Sequence, residues 1–154
     1  MLPARFQVSM ASILLLAALM TPSPMHALAE STLPDGCLGT LQENQIVIYY
    51  FHRKFRCQAC GPLEETLRAM VQGRYEQQFR TGVLAMCVIN LDEPENRHFL
   101  DDFRLLSNSL VIAEKRKGVV QRFTNLEAIW DITEGTEAIA GFLHREVSRY
   151  LPGS

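Results

Sequence analysis

Residues 46–51 read Ile-Val-Ile-Tyr-Tyr-Phe, an unbroken run of β-branched and aromatic side chains. A strand with one solvated face alternates apolar with polar residues, so this run has to be covered on both faces. That requirement alone calls for a sheet sandwiched between other layers. A second such run, residues 83–89, follows about thirty positions later, near the usual length of a strand–helix–strand unit. Between them the period changes: Leu63, Leu67, Met70 and Phe79 recur at helical spacing, with Glu64, Glu65, Arg68 and Gln72 opposite. Pro62 suits the first turn of this helix, where its missing N–H costs nothing, and Gly82 ends the unit. Strand, helix and strand on short links predict a right-handed βαβ crossover.

Downstream, the pattern predicts a short helix over 94–104 with Phe99, Leu100 and Phe103 on one face. A strand over 109–114 follows, then a polar turn at Lys115-Arg116-Lys117-Gly118 and a hairpin partner over 119–123. A helix over 134–150 closes the chain, with Thr133 as its N-cap and Ile139, Phe142, Leu143, Val147 and Tyr150 as its stripe. The order is βαβαββα, an α/β sandwich around a four-stranded mixed sheet flanked by helices.

The N-terminus reads as an address. Arg5 precedes an apolar stretch over residues 8–20, shorter than the roughly 20 residues that cross a bilayer. Pro22 and Pro24 break it, and Ala27-Leu28-Ala29 offers a small-x-small cleavage pattern. These features predict a signal peptide over 1–29 cleaved after Ala29, with an uncleaved anchor as the alternative. They predict a periplasmic or secreted protein with no stable membrane span once the segment is removed. An irregular lead-in over 30–45 would then precede the domain at 46–151. The formal net charge of −2 excludes a basic nucleic-acid binder. Export would put the cysteines in an oxidising compartment.

Cys57-Gln58-Ala59-Cys60 stands between the first buried strand and the amphipathic helix. In that context a C-x-x-C pair reads as a redox motif. The spacing lets both sulfurs share one helical turn, and the helix N-terminus favours a thiolate at Cys57. His52, Arg53, Lys54 and Arg56 add positive charge to the same loop, so Cys57 is expected to have a depressed pKa and Cys60 to be buried. His52 and Arg56 are the supporting residues here. The alternatives are a structural disulfide and a site for a soft metal or arsenical held by two or three thiols. A closed zinc site is not expected, since Cys37, His52, Cys87, His98 and His144 stand at no zinc-like spacing. Cys87 reads as an inert buried thiol inside a strand. Cys37 could be a third thiol, an intermolecular link or a residue without a role. No Gly-rich dinucleotide fingerprint is present and no cofactor is expected.

The element order and the C-x-x-C at the first helix resemble the thioredoxin-like superfamily over residues 45–151. The resemblance implies that Cys57 attacks and Cys60 resolves a mixed disulfide. Two departures stand out. Leu106-Ser107-Asn108-Ser109-Leu110 occupies the stretch where thioredoxins carry a cis-proline, so Asn108 and Ser109 become supporting residues and a trans peptide is expected. Phe51 occupies the position where thioredoxin has a buried carboxylate, which leaves Glu64 as a weak candidate proton acceptor. The stretches YYFHRKFRCQAC, NLDEPENRHFLDDF, SLVI and NLEAIWDI also resemble the ArsF family, described as a subunit of a nitrophenyl compound nitroreductase. That resemblance implies electron delivery to a redox partner protein or a second nitroreductase subunit.

Overall fold

The computed structural model describes residues 36–55 and 60–151. The first sheet strands are β1 (Cys37–Leu38) and β2 (Gln45–His52). Helices α1 (Cys60–Gln72) and α2 (Glu76–Arg80) follow, then β3 (Leu84–Asn90). A 3-10 turn at Pro94–Asn96 leads into α3 (His98–Asp102), then β4 (Ser109–Arg116) and β5 (Val119–Asn125). Another 3-10 segment, Glu127–Asp131, precedes α4 (Thr136–Ser148). The predicted signal peptide and the start of the lead-in lie outside the described residues.

The sheet order is β1-β3-β2-β4-β5. β2 runs parallel to β3 and antiparallel to β4, and β4 pairs antiparallel with β5. This is the predicted thioredoxin-like α/β sandwich, with β1 as an added fifth strand at the edge. All eight residues of β2 are buried, as the unbroken apolar run requires. Its alternation divides the interior in two. Ile46, Ile48 and Tyr50 face α1 and α4, meeting Leu63, Leu67, Met70, Leu143 and Val147. Val47, Tyr49 and Phe51 face the other way, toward Phe99, Phe103 and Leu105.

The helix after β2 is shorter than its apolar pattern implies. Gly73 and Arg74 interrupt it, and Phe79 belongs to the separate helix α2. Gly pays the largest backbone entropy in a helix, and Gly73 donates its N–H to Ala69 at 2.9 Å as the helix closes. α4 begins at Thr136, after Gly135 at φ +93°, so Thr133 does not cap it. The β4–β5 link is tighter than expected: Arg116 pairs with Val119, leaving only Lys117 and Gly118 in the loop. Both have positive φ (53° and 77°), the two-residue geometry that matches strand twist.

β1 is held by a covalent bond that the sequence did not suggest. Cys37 and Cys87 are directly opposite each other on β1 and β3 and form a disulfide. Cys87 is therefore not the inert thiol expected of a buried strand cysteine, and Cys37 is neither a free third thiol nor an intermolecular link. Gly36 crosses so close to Val88 that a Cβ there would collide with the Val88 carbonyl. Gln45, 4% exposed, ties down the rest of the lead-in. Its Nε2 donates to Thr40 O (2.8 Å) and Gly82 O (2.9 Å), and its Oε1 accepts from Gln42 N (3.1 Å). Each of these buried polar atoms is satisfied, which burial requires.

Candidate functional site

Cys60 is the first described residue of α1 and is fully buried. It is held in a disulfide. Tyr50, also fully buried, reaches up from β2 and donates its hydroxyl to Cys60 O at 3.3 Å. The strand and helix are thus joined beside the sulfur by a bond that needs a tyrosine of this length. Cys57 and Arg56 lie outside the described residues.

Asn108 approaches from the loop before β4. Its Nδ2 donates to Cys60 Sγ at 3.5 Å, and its Oδ1 accepts from Arg53 N at 3.0 Å. One carboxamide therefore spans the sulfur and the loop after β2. A neutral N–H aimed at sulfur stabilises negative charge there whenever the sulfur is reduced. Ser109 is buried and turns its hydroxyl to Ser107 O at 3.0 Å, so it shapes the loop and not the sulfur. Among the described residues there is no cis peptide, as expected of a loop without proline.

His52 ends β2 and is 9% exposed, more buried than a strand-end histidine usually is. Its Nδ1 lies 3.0 Å from Arg53 O, a bond that requires the proton on Nδ1. The expected basic loop is partly neutralised by Asp92, a residue that no motif marks. Asp92 accepts from Lys54 N at 2.7 Å and from Arg53 Nη1 at 3.1 Å. The Lys54 amide first, and then Arg53, hold the Asp92 carboxyl below the usual carboxylate range. Arg53 thus contributes less free positive charge to the thiol than its place in the sequence suggested. Glu64 receives two bonds from Arg68, at 3.0 and 2.8 Å, one helical turn away. Phe51 packs into the second core cluster, on the sheet face away from Cys60.

A groove of about 680 Å³ borders this site, lined by Arg53, Phe55, Asp92, Ser107, Asn108 and Trp130. Phe55 is 88% and nearby Leu106 94% exposed. Trp130 is half-buried, packs against the core cluster and forms one wall. Sequence alone assigns neither Asp92 nor Trp130 to the site, because the loops that bring them here are separated along the chain. Cys37 and Cys87 occupy the opposite sheet face and are bonded to each other, so neither supplies a third thiol for a soft metal beside Cys60. Among the described residues no cluster of His, Cys, Asp and Glu could hold a metal ion.

The strand order and the helices packed on it give this chain a thioredoxin-like fold. Among solved structures, the chain is similar to thioredoxin f2 of Chlamydomonas reinhardtii at 13% identity, covering 73% of this chain and 85% of that one, with a TM-score of 0.47. Thioredoxin-2, described as a component of the malaria parasite protein secretion machinery, is 14% identical over 73% of this chain and 97% of its own, with a TM-score of 0.42. A Thermus thermophilus thioredoxin is 16% identical over 71% and 77%, with a TM-score of 0.38. No protein-family model and no curated protein matches the chain, and the ArsF resemblance gains no support from these comparisons.

Proposed function

We propose that the chain is an exported thiol–disulfide oxidoreductase working through Cys57 and Cys60. The observation that carries this reading is Cys60 itself: disulfide-bonded, at the head of α1, with the Asn108 amide 3.5 Å from its sulfur. Cys37 and Cys87 take each other, which supports Cys57 as the partner of Cys60. In the reductive direction, the Cys57 thiolate attacks a substrate disulfide, forming a mixed disulfide and releasing one substrate thiolate. The Cys60 thiolate then attacks the Cys57 sulfur, the mixed bond breaks, and the second substrate thiolate leaves. Two electrons pass to the substrate and the protein keeps an internal disulfide; reversing the steps makes it an oxidant.

Asn108 assists as a positioning residue, donating to Cys60 as charge develops on its sulfur. A disulfide far from the site supports an oxidising compartment. The exposed Phe55 and Leu106 beside the groove support a protein partner, which we take to be a redox protein such as a second nitroreductase subunit. The test is Cys60→Ser exposed to glutathione disulfide. This variant should hold one glutathione on Cys57 that the unsubstituted, prereduced protein takes up and expels. A Cys60→Ser protein that forms no adduct would remove the proposal, as would a wild-type dithiol that never exchanges with glutathione buffers.

A further inference from the structure

The sheet face away from Cys60 is covered unevenly. α3 has five residues and covers only part of it, while β5 stays exposed along almost its whole length. Val119, Val120 and Phe123 are 61%, 37% and 37% exposed on this strand. Between β5 and α3 lies a groove of about 700 Å³, within the size range of small-ligand sites. Its walls are aromatic: Phe103 meets Phe123 edge-on at 5.1 Å, and Tyr49 packs against Phe103 at 5.4 Å and Phe99 at 5.8 Å. Cys87 also lines it.

Two polar groups here have no partner among the described residues. Tyr49 is only 7% exposed, yet its hydroxyl makes no hydrogen bond to any of them, and the residue lines the groove. Burial pushes its phenol up to about 12, so at neutral pH the hydroxyl keeps its proton and can donate. Lys115 lines the same groove, half-buried, and forms no ion pair among the described residues. Two other charged side chains line the groove. Arg122 binds Glu114 at 2.6 Å, while Asp102 is an exposed carboxylate at the rim, 3.9 Å from His98 Nε2, which pairs with it only when the imidazole is protonated. The Tyr49 hydroxyl is not among the buried unpartnered atoms, so a bound acceptor would take the place of groove water on it.

We propose that this groove binds a small aromatic anion. The ring packs against Phe123 and Phe103, an acceptor atom takes the Tyr49 hydroxyl, and the negative group pairs with Lys115. In register, Gln45 opposes Lys115 and Tyr49 opposes Val111, so Lys115 emerges four residues along β4 from Tyr49's partner. At about 3.3 Å per residue this is roughly 13 Å at strand level, a span that the flexible lysine stem shortens toward the length of a two-ring ligand. The site does not depend on the dithiol chemistry, and its test needs no redox turnover.

The probe is 8-anilinonaphthalene-1-sulfonate, titrated by fluorescence and calorimetry on oxidised protein whose circular dichroism is unchanged in every variant. One saturable site with a Kd in the micromolar range is expected. Tyr49→Phe, which removes only the hydroxyl, should weaken binding about fivefold, the worth of one hydrogen bond. Lys115→Gln should weaken it by a similar factor and Phe123→Ala by about tenfold, while Lys117→Gln, the same charge change in the exposed turn, should stay within about twofold. Absence of saturation, or all four variants binding alike, overturns the proposal. So does sedimentation showing a dimer that Phe123→Ala dissociates, since a second copy would then be the occupant.

Discussion

The Cys37–Cys87 disulfide offers the sharpest test of what holds this fold together. Its two residues are 50 apart in sequence, and the loop they close contains β2, α1 and α2. In the chain-entropy account, closing a loop of this length stabilises the native state by about 4 kcal/mol. Little packing depends on the bond itself, because β1 is only two residues long. Replacing both cysteines by alanine should therefore lower the urea midpoint by roughly 2–3 M, given a slope of about 1.5–2 kcal/mol/M. The slope itself should rise, since the unfolded chain is no longer held compact. Cys37→Ala alone leaves the Cys87 side chain in the core and should lose nearly as much as the double variant. If Cys37→Ala is almost silent while Cys87→Ala costs several kcal/mol, the stabilisation comes from packing and the crosslink argument fails. A midpoint unchanged in the double variant refutes both.

Two further outcomes follow from titrating groups. Asp92's folded pKa is depressed, chiefly by the Lys54 amide, so its clasp on the loop should be intact above the unfolded value near pH 4. It should fail only as pH falls through the lower folded value. Hydrogen exchange at the Lys54 amide checks this, and opening already at pH 6, or an unchanged rate in Asp92→Asn, would count against it. Tyr49's folded pKa is raised from about 10 to about 12, so the native state binds the extra proton and stability should fall as pH rises through that window. Tyr49→Phe should flatten the fall and remove a phenol step near pH 12 from the ultraviolet absorbance.

The strands and their burial were legible because local pattern and tertiary environment agree. β2 needs cover on both faces, and each face receives it from a different layer. Helix ends were less legible: the apolar spacing that joins Leu63 to Phe79 says nothing about the break at Gly73. At the site, Cys60's place at the head of α1 could be read from the motif beside its strand, and Asn108 came from the missing proline. The Cys37–Cys87 bond could not be read, because it depends on an antiparallel register between a two-residue strand and β3. Asp92 was equally hidden, since its partners Arg53 and Lys54 are about forty positions away and meet it only after the loops close.

β2 is, finally, a partition. Cys60 belongs to the cluster on one side of it and Cys87 to the cluster on the other, and no path through the packed sheet lets their sulfurs collide. A thiol freed by reducing the Cys37–Cys87 bond therefore has no route to Cys60, so the two sulfurs should answer to a reductant independently, with no scrambling across the sheet.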